Sequence, residues 1–133
     1  MHTLNVPTQD RCQFVDVTKQ VQRVVREEGL QNGSVICYVP HTTAGITIQE
    51  NADPDVVHDV LWKLEQLIPK KEHAYRHAEG NTDSHIKASM MGSSATLLVE
   101  NGQLVLGTWQ GIYFCEFDGP RRRHMLVKCL PDA

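Results

Sequence analysis

Asn101-Gly102 stands between two short runs with apolar character, residues 96–100 and 103–106. A two-residue connection of this kind needs positive φ at both positions, which asparagine and glycine tolerate best, and it ties its flanks into an antiparallel hairpin. Asp118-Gly119-Pro120 repeats the arrangement between residues 110–117 and 124–130, predicting a second strand pair. The last third of the chain is thereby committed to antiparallel pairing. The remainder must supply further strands and a cover for them.

Upstream, residues 34–40 (SVICYVP) form an almost wholly apolar run rich in β-formers, which predicts an interior strand. Residues 41–49 (HTTAGITIQ) continue extended, with Ile46 and Ile48 on one face and Thr47 and Gln49 on the other. Residues 3–17 predict one or two more strands, with a turn at 7–11. Thr18 serves as the cap of a helix through Glu28, striped by Val21, Val24 and Val25 and stopped at Gly29. Asp53-Pro54-Asp55 opens a second helix, in which Val57, Val60, Leu61, Leu64 and Ile68 recur at helical spacing before Pro69. Residues 70–84 are polar and aperiodic and predict a loop, followed by a short helical turn over 85–91. With no repeat, low-complexity tract or linker, residues 1–133 read as a single domain. The predicted class is α+β, a mostly antiparallel sheet or sandwich with two main helices.

Composition narrows the function classes. A length of 133 residues suffices for one core without staples. The net charge of −3 argues against a nucleic-acid partner, and the run Arg121-Arg122-Arg123 is too short to reverse that. No apolar stretch approaches the roughly 20 residues of a membrane span, and residues 1–10 lack a signal-peptide pattern. No membrane partner is therefore expected. Cys12, Cys37, Cys115 and Cys129 contain no CxxC pair, which predicts reduced thiols and a cytoplasmic location rather than a disulfide framework.

Seven histidines supply the chemistry. His41 ends the interior strand, while His73, His77 and His85 fall in or beside the polar segment. Imidazole suits both proton transfer and metal ligation. The spacing of His77 and His85 matches neither HExxH nor a zinc finger, so the histidines either converge in space or simply bond loop backbone and face solvent. Glu50 and Asn51 follow an apolar strand; they are either general base, metal ligand or histidine-orienting partner, or an ordinary strand-end turn. In Gly107-Thr108-Trp109-Gln110-Gly111 the glycines imply close backbone approach by a strand or a ligand, Trp109 packs the core or a pocket edge, and Gln110 is an orienting amide. Arg121 and Arg123 would point one way on a strand and Arg122 the other, presenting either a fork for phosphate or an exposed hairpin end.

Four segments in order carry a resemblance: HTTAGITIQENADPDV from His41, YRH at 75–77, SHIKASMMG from Ser84, and LGTWQGI from Leu106. Together they resemble the YjbQ-like family of secondary thiamine-phosphate synthases, over essentially the whole chain. The resemblance implies an α+β homotrimer and a weak ability to join a pyrimidine diphosphate to a thiazole phosphate. Its motif histidines fall on His41, His77 and His85, where a divalent metal such as zinc or magnesium can be held. The Tyr-x-His context favours His77 over His73. Glu50, Asn51 and Gln110 lie close by in the pattern, and Lys87 with Arg121, Arg122 and Arg123 is suited to the leaving phosphates, with Trp109 at the pocket edge. No organic cofactor is expected, and GxxxxGK[ST] is absent. The expected partners are a small phosphorylated metabolite and further copies of the chain. A metal-dependent hydrolase and a non-catalytic trimeric metabolite-binding module are the alternatives.

Overall fold

A computed structural model describes residues 1–133. In chain order it contains β1 (His2–Pro7), β2 (Gln13–Asp16), α1 (Thr18–Glu28), β3 (Gly33–Tyr38), β4 (Ala44–Glu50) and α2 (Pro54–Leu67). There follow α3 (Thr82–Met91), β5 (Ser94–Glu100), β6 (Gln103–Leu104), β7 (Gln110–Glu116) and β8 (Arg122–Pro131). All pairing is antiparallel, in a five-stranded sheet ordered β1-β8-β3-β5-β6 and a three-stranded sheet ordered β2-β7-β4. The α+β class with mostly antiparallel sheet therefore holds.

The two sheets face each other across one core. Val35, Cys37, Val99, Met125 and Val127 from the large sheet meet Ala44, Ile46, Ile112 and Phe114 from the small one, with Val21, Val24 and Val25 of α1 packed among them. A second, smaller core lies on the other face of the small sheet. There Leu64 of α2 and Ala88 of α3 pack against Tyr113, Cys115 and the adjoining Phe117. Alternation along β7 thus feeds both cores, as a strand with two covered faces must.

Asn101 has φ of 51° and Gly102 of 77°, and Glu100 pairs with Gln103, so the first hairpin forms as expected. Its second strand is shorter than expected, ending at Leu104. The second expected strand pair does not form. β7 pairs with β2 and β4, while β8 pairs with β1 and β3, and Asp118-Gly119-Pro120 carries the chain from one sheet to the other. Close packing at this corner explains the glycine: a Cβ on Gly119 would lie 2.3 Å from the Asp10 carbonyl oxygen.

The helices depart from expectation in two ways. Thr18 is not the cap of α1: Asp16 accepts hydrogen bonds from the Thr18 amide (3.0 Å) and hydroxyl (2.6 Å), and the Thr18 hydroxyl accepts from the Ile112 amide. There is also a third full helix, α3, so the polar loop ends at residue 81 and His85 rides on a helix. Apolar periodicity missed α3 because much of its buried face is polar. Asp83, Ser84 and Lys87 are buried beside Ala88, satisfied by ion pairs and hydrogen bonds.

All four cysteines are free, and burial pushes the Cys37 thiol up to about 12, where it behaves as an inert small hydrophobe. No helix is long and apolar enough to cross a membrane.

Candidate functional site

The strand register places His41. Tyr38 of β3 faces Leu126 of β8, and continuing that antiparallel register sets Pro40 opposite His124. Proline has no N–H to give, so the backbone groups of His124 need another partner. The His41 ring provides it: Nε2 lies 3.1 Å from the His124 amide nitrogen and 3.0 Å from its carbonyl oxygen. Burial, and then the positive charge of Arg123, hold the His41 pKa below the ordinary imidazole value. The ring is therefore neutral at pH 7. Nε2 serves one of these groups at a time, accepting from the His124 N–H in one tautomer and donating to its carbonyl in the other.

His77 and His85 reach the same place from the other side. Tyr75 donates its hydroxyl to the Pro69 carbonyl (3.0 Å), closing the loop that presents His77, and His85 projects from the first turns of α3. Their rings stand edge to face, with centroids 5.3 Å apart. His41, His77 and His85 line a single polar cavity of about 420 Å³, which His73 does not reach. Within the chain no three His, Cys, Asp or Glu side chains gather closely enough to hold a metal ion. The three histidines thus share a cavity without forming a closed ligand set of the kind a resident metal needs.

Arg121 lines this cavity with its guanidinium half exposed, bonding Asp118 through Nε and one terminal nitrogen and keeping further N–H donors free. Arg123 also reaches the cavity wall, but it is committed to a buried pair. Its Nε (2.8 Å) and a terminal nitrogen both donate to Glu116, and the same terminal nitrogen donates to Thr43. Glu116 is fully buried and also accepts from the Thr8 hydroxyl and the amides of Phe117 and Asp118. Burial pushes its carboxyl up, but the bonds from Arg123, Thr8 and Asp118 overcome this and hold the pKa below the ordinary range.

The remaining expected residues lie elsewhere. Lys87 is 1% exposed and its Nζ is 3.0 Å from Asp83, which also takes a bidentate bond from Arg11, so Lys87 is held in a buried ion-pair network outside the lining of the histidine cavity. Arg122 is exposed on the outer side of β8 and lines a separate concavity with Thr3 and Asn5. Glu50, Asn51, Trp109 and Gln110 gather at the far end of β4, about 20 Å from Ala44 at ordinary strand rise. There each has a structural task. Asn51 donates to Asp16, the Asn51 amide donates to the Trp109 carbonyl, and Gln110 accepts from the Gly107 amide. Tyr113 donates to the Glu50 carbonyl. The close approach that the glycines implied is real: a Cβ on Gly111 would sit 2.4 Å from the Asn51 amide nitrogen. The Trp109 side chain is 62% exposed, outside the histidine cavity.

Sequence reasoning missed Asn81, Asp118 and Glu79, all in the cavity wall. In the sequence Asp118 reads as part of a turn signal and Asn81 as part of the polar segment. Asn81 donates to Asp118 (2.8 Å), and the approach of this pair to Arg121 is visible only in the fold.

Residues 2–132 match the family model described as UPF0047 protein YjbQ-like. UPF0047 protein YugU of Bacillus subtilis is 49% identical over 130 residues, covering 98% of each chain. UPF0047 protein MJ1081 of Methanocaldococcus jannaschii is 50% identical over 127 residues, 96% of this chain and 91% of that one. Among solved structures, an uncharacterized conserved YjbQ/UPF0047 protein from Clostridium acetobutylicum superposes with a TM-score of 0.96 at 52% identity, over 98% of this chain and 100% of that chain. The conserved hypothetical protein TT1486 of Thermus thermophilus gives 0.92 at 42% identity, with 98% and 100% covered. By fold, by sequence and across its whole length, the chain belongs to the UPF0047 YjbQ-like family.

Proposed function

We propose that the chain is a low-efficiency transferase of the secondary thiamine-phosphate synthase type, joining a pyrimidine diphosphate to a thiazole phosphate in the His41–His77–His85 cavity. The observation that carries the reading is the cavity itself, which sets three imidazoles and the free donors of Arg121 around one polar space. In the reaction the thiazole nitrogen lone pair forms a C–N bond to the pyrimidine methylene. The C–O bond to that carbon breaks and its electrons leave with the diphosphate. Negative charge grows on the departing oxygens, so preorganised N–H donors accelerate the step. Arg121, His77 and His85 are placed to give them.

The absence of a glycine-rich phosphate loop accords with a slow activity. Four free cysteines accord with work in the reducing cytoplasm. The outer face of the five-stranded sheet carries Tyr38, Leu98 and Leu130 exposed, which supports assembly into the family's homotrimer.

The test is to supply both precursors and follow pyrophosphate release in wild type and in His85→Ala. The reading expects release that needs both substrates and falls at least tenfold in the variant. Release without the thiazole phosphate identifies a hydrolase instead, and binding without turnover identifies a metabolite-binding module.

A further inference from the structure

A second cavity, also of about 420 Å³, opens on the other side of His41 and His85 and shares Thr42 with the first. The two are lobes of one groove with the two histidines at the seam. The lobes differ in chemistry. The first gathers Arg121, Arg123, Glu79 and Asp118, whereas the second is completed by Ala44, Ala88, Ser89, Gly92 and Ser93, without a charge.

The uncharged lobe has a fixed floor. The Gly92 carbonyl accepts from the Ile46 amide (3.0 Å) and the Ser93 carbonyl from the Val39 amide (2.7 Å), pinning the end of α3 to both sheets. Gly45 permits this approach, since a Cβ there would lie 2.7 Å from the Gly92 oxygen. The charged lobe holds an unfinished bond. Asn81 is buried in its wall with its amide nitrogen on Asp118, and its Oδ1 has no donor. A buried acceptor without a donor is a group whose bonding the chain alone does not complete.

We propose that the groove is bipartite: the charged lobe takes the anionic end of the ligand, and the Ala44–Ala88–Ser89–Ser93 lobe takes an uncharged nitrogen heterocycle. This assignment rests on the phosphorylated-metabolite reading above. A neutral ring loses little on leaving water for a floor of small side chains, and the serine hydroxyls can donate to ring nitrogens or accept from ring substituents. The bond between ring and phosphate then spans the His41–His85 seam, which both lobes share.

Calorimetric titrations with two probes test this: inorganic pyrophosphate, which needs only the charged lobe, and a pyrimidinylmethyl diphosphate, which needs both. The variants are Ser89→Phe and Ser93→Phe, at exposed positions where a large side chain fills the lobe without entering the core. Wild type should bind the ester at least tenfold more tightly than pyrophosphate. Each variant should lose most of that preference while holding pyrophosphate within twofold of wild type, at an unchanged thermal midpoint. Ester affinity that survives both substitutions overturns the ring assignment while leaving the anion site intact. Failure of wild type to bind either probe overturns the phosphorylated-metabolite reading, and the assignment with it.

Discussion

The Nε2 atom of His41 sits within 3.1 Å of both the amide nitrogen and the carbonyl oxygen of His124, in the place where the next residue of strand β3 would pair. A side chain here substitutes for a backbone that ends in Pro40. The ring that lines the cavity thus also completes the strand pairing, and its burial beside Arg123 sets its protonation behaviour.

The folded-state pKa of His41 is lowered by burial and by Arg123, so acid favours the unfolded chain, whose imidazole binds the proton more readily. This contribution to stability is present above the unfolded value of about 6.5 and is lost as pH falls from there through the folded pKa. Urea midpoints should accordingly drop as pH falls below about 6.5. His41→Gln keeps a donor and an acceptor for His124 without titrating, and should flatten that part of the profile. An unchanged slope in the variant would remove His41 as its source.

The Glu116–Arg123 pair bridges the corner between the two sheets, with the carboxylate fully buried and the guanidinium nearly so. Arg123→Ala leaves the carboxylate without its partner and should cost about 3–5 kcal/mol, read from urea unfolding. The Glu116 pKa is lowered in the fold, so its contribution is present above the ordinary carboxylate value and disappears as pH falls through the folded pKa. Glu116→Gln should therefore be most damaging near neutrality, with its difference from wild type shrinking below pH 4.5.

Much of the fold is legible in the sequence because backbone requirements are local. Asn101-Gly102 needs positive φ, Asp53-Pro54 starts a helix, and the run ending at Tyr38 is apolar on both faces. What local patterns miss is polar burial. α3 buries Asp83, Ser84 and Lys87, so it has no apolar stripe to find, and a lysine among charged neighbours reads as a surface ligand. The corner at Gly119 fails for a related reason. Turn chemistry shows that the chain reverses, whereas which sheet receives it depends on Glu116 and Arg123 meeting across the corner. The histidines were legible as chemistry but not as geometry, since the meeting of His41 and His85 depends on Gly45 admitting α3 against β4.

Lys87 and Asp83 distinguish a structural network from a ligand site. Asp83→Ala strands Lys87 as a buried charge and also removes the Arg11 anchor; it should cost about 3–5 kcal/mol. Lys87→Met keeps the Arg11–Asp83 bonds and should cost less, since the methionine stem fills the same space. In both variants the molecules that remain folded should bind pyrophosphate with wild-type affinity, measured by calorimetry well below the thermal midpoint. A large affinity loss in folded Lys87→Met would restore the lysine as a phosphate ligand.

The outer face of the five-stranded sheet gives the last prediction. Tyr38 is 45% exposed and Leu98 62%, and no helix covers them, since α1 packs among the inner residues and α2 and α3 lie beyond the small sheet. An apolar face left open on a sheet seeks a partner, and in the proposed homotrimer these side chains lie between copies. Light scattering should give three times the 15.0 kDa chain mass. Leu98→Glu places a carboxylate in that contact, where burying it unpaired is costly, and should shift the mass downward. The protomer fold should persist, read by far-UV circular dichroism, because Leu98 contributes nothing to either core. A wild-type mass of 15.0 kDa removes the trimer, and a Leu98→Glu trimer of full mass moves its contacts to another surface.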